Sequence, residues 1–283
     1  MVSDLVLSRL ALGRLVLAEY RKIFSTKLWW TLLIPVAAVA LLFTLAGGGF
    51  VGVLADQPGG VDLPFALVTL GLTMGFTATF AAIFGALALG SENRHRTITT
   101  TLLTGSSRQA VLTAKLVAHG SVGLLYAAVT ALFGVIGATI GSGALPSAAA
   151  FAAVAATGGL AVLLWTLLGI GVGYLIGNQV AAVLALVLYS LIISPLIGGI
   201  LTAAEIPRVG DYLPDGASTA LTTDLAVREL GADGGSGRLA AELGTDLTGL
   251  ATLPWWAGGL LLAGYAVLLV GLGALADERR DIT

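Results

Sequence analysis

Apolar and polar positions divide the chain into six long charge-free stretches separated by polar segments. The stretches cover residues 28–47, 65–90, 116–141, 148–176, 180–203 and 253–276, and none contains Asp, Glu, Lys or Arg. A bilayer core about 30 Å thick is crossed by about 20 residues of α-helix. The pattern therefore predicts an all-α polytopic membrane protein with six transmembrane helices, called spans one to six, in a single membrane domain over residues 1–283.

The same pattern predicts the type of structure and one sharp turn. A single segment inside a bilayer must satisfy its own backbone hydrogen bonds, and a barrel would have shorter strands of alternating polarity, so helices are favoured. Spans four and five are separated only by Gly177, Asn178 and Gln179. This short link predicts a tight helical hairpin.

The distribution of basic residues predicts which side of the membrane each connection occupies. Of the 14 Lys and Arg residues, only Arg208, Arg228 and Arg238 fall on one side, and the others fall on the side that holds both termini. Basic residues are retained on the cytoplasmic side during insertion. We expect a multi-pass protein of the plasma (inner) membrane with both termini cytoplasmic and with an external, acidic region at 204–252, between spans five and six.

Residues 1–27 precede the first span and have an amphipathic helical pattern. One face comprises Leu12, Val16, Tyr20 and Ile23, and the opposite face comprises Arg14, Ala18, Arg21 and Lys22. This spacing is typical of a helix that lies in the membrane interface, and a solvated basic leader is the alternative. A cleaved signal peptide is disfavoured because the apolar stretch begins late and is longer than a signal core.

Composition supports a membrane location and excludes several other classes of protein. Apolar residues make up 57% of the chain and charged residues 11%, whereas a soluble domain carries about 25% charged residues. The net charge of −2 provides no basic field for nucleic acid. Without cysteine, the chain has neither disulfides nor thiolate metal sites.

Groups that could break bonds or relay protons are scarce in the spans. His119, near the cytoplasmic end of span three, is the one histidine within a span, and its position favours an interfacial hydrogen-bonding role. The sequence contains no HExxH motif, nucleophile elbow or phosphate-binding GxxxxGK(S/T) loop. We therefore expect no catalytic residue, no metal site and no cofactor in this chain, which is not expected to be an enzyme.

The segment between spans two and three, at 91–115, is basic and longer than a simple turn. From position 90 it reads GSENRHRTITTTLLTGSSRQAVLTAK, where Ser106 or Ser107 is suited to cap the third helix. The order of an acid, basic residues, Thr97 and Ile98, Leu102 and Leu103, then Arg108 and Lys115 resembles the loop of type-2 ATP-binding-cassette (ABC) transporter permeases. LAEYRKIFSTKLWW, at 17–30, resembles the amphipathic helix and first span of actinobacterial members, and the six-span layout extends the likeness over the chain.

The resemblance implies the membrane subunit of an ATP-driven efflux system. Such a subunit forms a dimer with a second permease chain, identical or related, and sits on two cytoplasmic ATPase subunits that bind ATP and Mg. The residues implied to couple this chain to the ATPase are Glu92, Arg94, Arg96, Thr97, Ile98, Leu102 and Arg108. The alternative is a solvated basic loop that only follows the positive-inside rule.

Span two contains a stripe of hydroxyl groups and aromatic rings that could face a substrate. At 100° per residue, one arc holds Phe65, Thr69, Thr73, Phe76, Thr77, Phe80 and Phe84. The candidate path residues of this stripe are Thr69, Thr73, Phe76, Thr77 and Phe80. The resemblance adds span five, with Tyr189, Ser190 and Ser194, near Pro195. Ordinary helix packing is the alternative for the whole stripe.

Two further features concern packing and the external region. Gly169, Gly173 and Gly177 recur every four residues in span four, which is typical of a close helix-packing face. Relatives have a partly re-entrant gate between spans five and six, and the sequence leaves open whether 204–252 is such a gate or a solvent-facing cap. A charge-free interior favours amphipathic drugs, lipid-like molecules or hydrophobic peptides as cargo.

Two other functions compete with the ATP-driven exporter. A secondary carrier driven by an ion gradient would need an intramembrane carboxylate, which the spans lack. A non-transporting membrane assembly protein would have similar spans and loop charges.

Overall fold

The computed structural model describes residues 2–55, 65–89, 107–142, 147–232 and 253–279. Within these ranges the chain is helical and contains no strand. An N-terminal helix, Val2–Ser25, precedes six helices long and apolar enough to cross a membrane. Spans one to six are Leu28–Ala55, Phe65–Ala86, Arg108–Ser142, Ala148–Ile176, Gln179–Ala203 and Trp255–Glu278. The prediction of an all-helical protein with six membrane-length helices is confirmed.

Span three begins at Arg108 and not at residue 116, where the charge-free stretch starts. The hydroxyl oxygen of Ser107 accepts a hydrogen bond from the backbone N–H of Ala110 at 3.2 Å. This side chain satisfies one of the free N–H groups at the helix start, as the sequence predicts for Ser107. The additional turns include Lys115 in the helix, where its ammonium group pairs with Glu19 and binds the carbonyl of Ala88.

Spans four and five form the predicted hairpin. Gly177 adopts φ 70°, and its N–H donates to the carbonyl of Gly173. This left-handed conformation has little steric penalty for glycine, so it ends span four sharply. The side chain of Asn178 then accepts hydrogen bonds from the N–H groups of Val180 and Ala181 and caps span five.

Spans two and four form the centre of the bundle. Span two packs mainly on span four, span four also packs on span six, and span one packs on span three. Of the most apolar window in each helix, 67% is buried in span two and 11% in span five. Span five is therefore peripheral, with most of its apolar side chains exposed.

The connection between spans five and six folds back onto the bundle. A helix at Pro214–Ala232, called the connecting helix, packs against spans two, four and six. A Cβ at Gly71 of span two would collide with the carbonyl of Thr222, and one at Gly258 of span six would collide with the carbonyl of Ala217. The connecting helix therefore lies very close to both spans. At the start of span six, the N–H of Trp255 donates to Asp224 at 3.0 Å. This part of the connection is a packed element of the bundle and not a solvent-surrounded loop.

The N-terminal helix packs on the start of span three. Ile23 is buried, and the hydroxyl groups of Tyr20 and Ser121 are 2.5 Å apart. Arg14 and Arg21, on the opposite face, are exposed. The apolar face inferred from the sequence thus contacts protein.

Candidate functional site

The threonines of the span-two stripe face the interior of the bundle. Thr69, Thr73 and Thr77 are buried, and each hydroxyl donates to a carbonyl of its own helix. The hydroxyl of Thr77 also lies 2.8 Å from that of Thr130 in span three. These groups have their hydrogen bonds within the protein, which is the arrangement expected of packing threonines.

The phenylalanines of the same stripe divide between the surface and the core. Phe76 is exposed, Phe80 is half-buried, and their ring centroids are 5.0 Å apart. Phe84 is buried against His119 and Tyr126. Of the span-two candidates, Phe76 and Phe80 are thus the two that a substrate outside this chain could reach.

Span five changes its geometry at the other candidate path residues. A π-helical segment at Tyr189–Ile193 interrupts the helix, and the N–H of Ser194 donates to the carbonyl of Tyr189. Pro195 follows and has no N–H to donate. Tyr189, Ser190 and Ser194 are each half-buried. Wide turns of this kind occur often at functional sites because they re-aim side chains.

Asp215, in the first turn of the connecting helix, belongs to the same site. Its carboxyl faces Tyr189 and Ser194, while Oδ2 and the Tyr189 hydroxyl are both buried without a partner in hydrogen-bond geometry. Burial raises the pKa of Asp215, and the hydroxyls of Ser194 and Tyr189 act in the opposite direction with less effect. The sequence alone does not single out Asp215, because it is one of several acids in the predicted external region.

The positions of Tyr189 and Tyr265 along their helices show how far this site lies from the helix ends. Tyr189 is the eleventh residue of the 25-residue span five, and Tyr265 is the eleventh of the 24-residue span six. At 1.5 Å per residue, both lie about 15 Å from a helix end, a distance equal to half the thickness of a bilayer core of about 30 Å. Tyr265 donates to the carbonyl of Tyr212, three residues before Asp215. The connecting segment therefore carries a carboxyl group to the level of the midpoints of spans five and six, although the spans themselves have none.

A second polar cluster lies at the opposite end of the bundle. Nζ of Lys115 is 3.2 Å from Oε2 of Glu19 and donates to the carbonyl of Ala88 at 3.1 Å. Glu19 also pairs with Lys22 at 2.6 Å. The ring of His119 contacts the carbonyl of Lys115 through Nδ1, at 3.1 Å. This cluster joins the N-terminal helix, the end of span two and the start of span three.

Glu19 is not among the residues predicted to be functional, although its position in the helical pattern is unusual for an acid. Its position falls between Val16 and Ile23 on the apolar face of the N-terminal helix. An acid on such a face needs a buried cationic partner, and Lys115 is that partner.

Most of the residues implied to contact an ATPase fall outside the described residues: Glu92, Arg94, Arg96, Thr97, Ile98 and Leu102. Arg108 is described, and its Nη1 donates to the carbonyl of Asp277 at 2.7 Å. The start of span three, which follows the 90–106 segment, is thus joined to the end of span six.

Two of the three glycines singled out in span four lie at close helix contacts. A Cβ at Gly169 would collide with the carbonyl of Ala82, and one at Gly173 would lie 2.9 Å from the carbonyl of Ala86. Both carbonyls belong to span two. Gly177 has a different role, since it ends the helix. In the described part of the chain, no group of three or more His, Asp or Glu residues is placed to hold a metal ion.

No family model matches the chain, and no curated protein matches its sequence.

Proposed function

We propose that this chain is the membrane-spanning permease subunit of an ATP-driven exporter of the type-2 ABC class. It forms a substrate path with a second permease chain and is driven by two separate ATPase subunits that bind ATP and Mg. The six helices and the loop resemblance at 91–115 support the proposal. Both termini and the 91–115 segment face the cytoplasm, where the ATPase docks.

The observation that carries the proposal is the buried cluster of Glu19, Lys115 and the Ala88 carbonyl. These groups flank the 90–106 segment on both sides and fix the N-terminal helix to spans two and three. A force applied to that segment would therefore move both spans together. Removing one partner of a buried ion pair leaves an uncompensated charge, so the junction resists separation.

An ATPase drives transport only if its contacts with the permease differ between the inward-open and outward-open states. A partner that binds both states equally shifts neither population. The rigid junction supplies the required difference because it moves as one unit with spans two and three, so its position relative to the second permease chain differs between the two states. Spans two and five then line the path with Phe76, Phe80, Tyr189, Ser190 and Ser194.

The test uses the full chain expressed together with a candidate ABC ATPase subunit. In proteoliposomes we expect ATP-dependent export, with both export and ATP hydrolysis reduced by Arg96→Glu or Glu92→Ala. Arg14→Glu, which changes an exposed basic residue on the N-terminal helix, is the matched control. Export that persists unchanged in both loop variants would contradict coupling through this segment.

A carrier driven by an ion gradient is the second candidate function. Asp215 favours it, because a carboxyl group near the middle of the membrane is what proton or sodium coupling requires. Vesicles that contain this chain alone distinguish the two candidates. Uptake driven by a pH or sodium gradient without nucleotide supports the carrier, whereas uptake that needs ATP and the ATPase supports the exporter.

A further inference from the structure

We propose that Asp215, Tyr189 and Ser194 form a binding site for the positively charged head group of an amphipathic organic cation. The inference rests on the transport function proposed above and names a class of substrate for it. It also changes the expectation from the sequence, because a charge-free interior favoured uncharged cargo.

Two buried polar atoms of this site lack a hydrogen-bond partner. Oδ2 of Asp215 and the hydroxyl of Tyr189 are the two buried side-chain polar atoms without a hydrogen-bond partner in the part of the chain that the structure describes. Buried polar groups are almost always paired, and exceptions call for a partner that the protein alone does not supply. The two side chains interact without reaching hydrogen-bond geometry, so a ligand group placed between them can contact both.

The carboxyl group of Asp215 differs from those of the other buried acids in its ion pairing. Ion pairs between the described side chains occur elsewhere, in Glu19 with Lys22 and Lys115 and in Asp224 with Arg228. Asp215 has no such cationic partner among the described residues. A carboxylate at membrane depth is unfavourable unless a cation or a proton neutralises it. The site therefore selects a positively charged ligand.

Aromatic rings surround the site. The ring of Trp165, in span four, lies 6.3 Å from that of Tyr189, with the planes tilted by 41°. Tyr265 of span six lies close enough to Tyr189 to interact with it electrostatically. Aromatic faces attract organic cations electrostatically and also contact their apolar substituents. A carboxylate beside several rings thus suits a lipophilic cation better than a small hydrated ion.

The site is also accessible from the side of the bundle. Tyr189, Ser194 and Asp215 are half-buried, and Leu191 in the adjoining π-helical turn is 71% exposed. A ligand can therefore approach along the exposed face of span five, with its apolar part against that face and its charge at Asp215.

A proton competes with the cation for the same carboxyl. The pKa of Asp215 is raised by burial, so falling pH protonates Asp215 before an ordinary aspartate and weakens cation binding. The other titratable or charged groups on the neighbouring segments are Tyr189, Tyr265, Glu205, Arg208, Asp211 and Tyr212, and the connecting helix also carries Asp224, Arg228 and Glu229. Span two has no titratable side chain, and span four has only Tyr174, towards its opposite end. Asp211 is thus the matched control for Asp215.

The experiment measures binding of tetraphenylphosphonium to the purified full chain in detergent, without ATPase or nucleotide. This probe is permanently charged, so its own protonation does not change with pH. We expect Asp215→Asn to weaken binding by at least about tenfold, and Asp211→Asn to leave it nearly unchanged. Uncharged triphenylphosphine oxide should bind both forms equally weakly. Wild-type binding should also weaken at low pH, and Asp215→Asn should lose this dependence.

Equal binding of the probe by wild type and Asp215→Asn would overturn the site, as would no binding by wild type. If Asp215→Asn does not fold, Asp215→Glu and the wild-type pH profile provide the test. Binding that does not change with pH would then contradict the proposal. Cation binding without ATP-driven export would contradict the proposed function and leave the site standing. Export of cations that Asp215→Asn does not affect would do the reverse.

Discussion

The ammonium group of Lys115 lies 3.2 Å from a carboxylate oxygen of Glu19, with Lys115 fully buried and Glu19 only 4% exposed. One charged pair therefore links the N-terminal helix to span three. Lys115 also binds the Ala88 carbonyl at the end of span two. The two charges form a fixed point next to the segment through which we propose that the ATPase acts.

Breaking this pair from one side should be strongly destabilising. We expect Glu19→Gln to lower the free energy of unfolding by about 3 to 5 kcal/mol, because the buried charge of Lys115 then lacks its carboxylate. Lys115→Met should cost less, because Glu19 still pairs with Lys22. Lys22→Met, at a partly exposed position, should have a much smaller effect. Unfolding in detergent measures all three, and the double variant Glu19→Gln with Lys115→Met should recover part of the loss. Equal effects of the Lys22 and Lys115 variants would contradict a special role for the buried pair.

The contact between spans two and four should tolerate no added side chain at Gly169. A Cβ there meets the backbone of Ala82, which cannot move away as a flexible side chain can. We expect Gly169→Ala to destabilise the protein by about 1 to 3 kcal/mol. Gly264→Ala, in span six, is the control because nothing lies within 4 Å of the added atom. Thermal unfolding compares the two, and similar melting temperatures would refute the close contact.

The connecting helix should be anchored to span six through Asp224. This buried carboxylate accepts from the N–H of Trp255 and pairs with Arg228 at 2.9 Å. We expect Asp224→Ala to cost about 1 to 2 kcal/mol in unfolding free energy through loss of the helix cap. Glu229→Ala, at an exposed position, should be nearly neutral. Faster proteolysis of the Asp224 variant after span five would locate the effect, and its absence would argue against the anchor.

Asp215 should make stability depend on pH in the sense opposite to that of an ion-paired aspartate. Its pKa is raised above the ordinary 3.8 by burial, so the folded state holds the proton more tightly than the unfolded state. The contribution of Asp215 to the free energy of unfolding is then fully present below pH 3.8, and it is lost as pH rises through the raised pKa. Asp215→Asn should remove this loss. Melting temperatures of both forms across that window test the sign, and parallel curves would contradict it.

The two halves of the span-two stripe should respond differently to substitution. Thr77 pairs with Thr130 inside the bundle, so we expect Thr77→Val to lower stability by about 0.6 kcal/mol, a typical value for hydrogen bonds between membrane helices. Phe76→Ala removes an exposed ring and should alter transport with little change in stability. Melting temperature and transport rate, measured for both variants, separate the roles. A transport defect confined to Thr77→Val would reverse the assignment.

The sequence predicts the helices well because their signals are local. Charge-free length defines the six spans, Ser107 caps span three, and Gly177 and Asn178 form the hairpin. The polar clusters escape prediction because their members lie far apart in the chain. Glu19 meets Lys115, and Asp215 meets Tyr189, only after the helices pack. Counting charges per connection also assigns Asp215 to the outside, whereas the fold of the connecting segment brings it level with the midpoints of spans five and six.

The most direct test of the central claim is ATP-dependent transport of a labelled cargo in proteoliposomes, measured with and without the partner ATPase. Amphipathic cations are the first cargo to try. The account predicts vectorial transport only when the ATPase, ATP and Mg are all present, and none from this chain alone under a pH or sodium gradient. Sustained vectorial transport by the lone chain would contradict it.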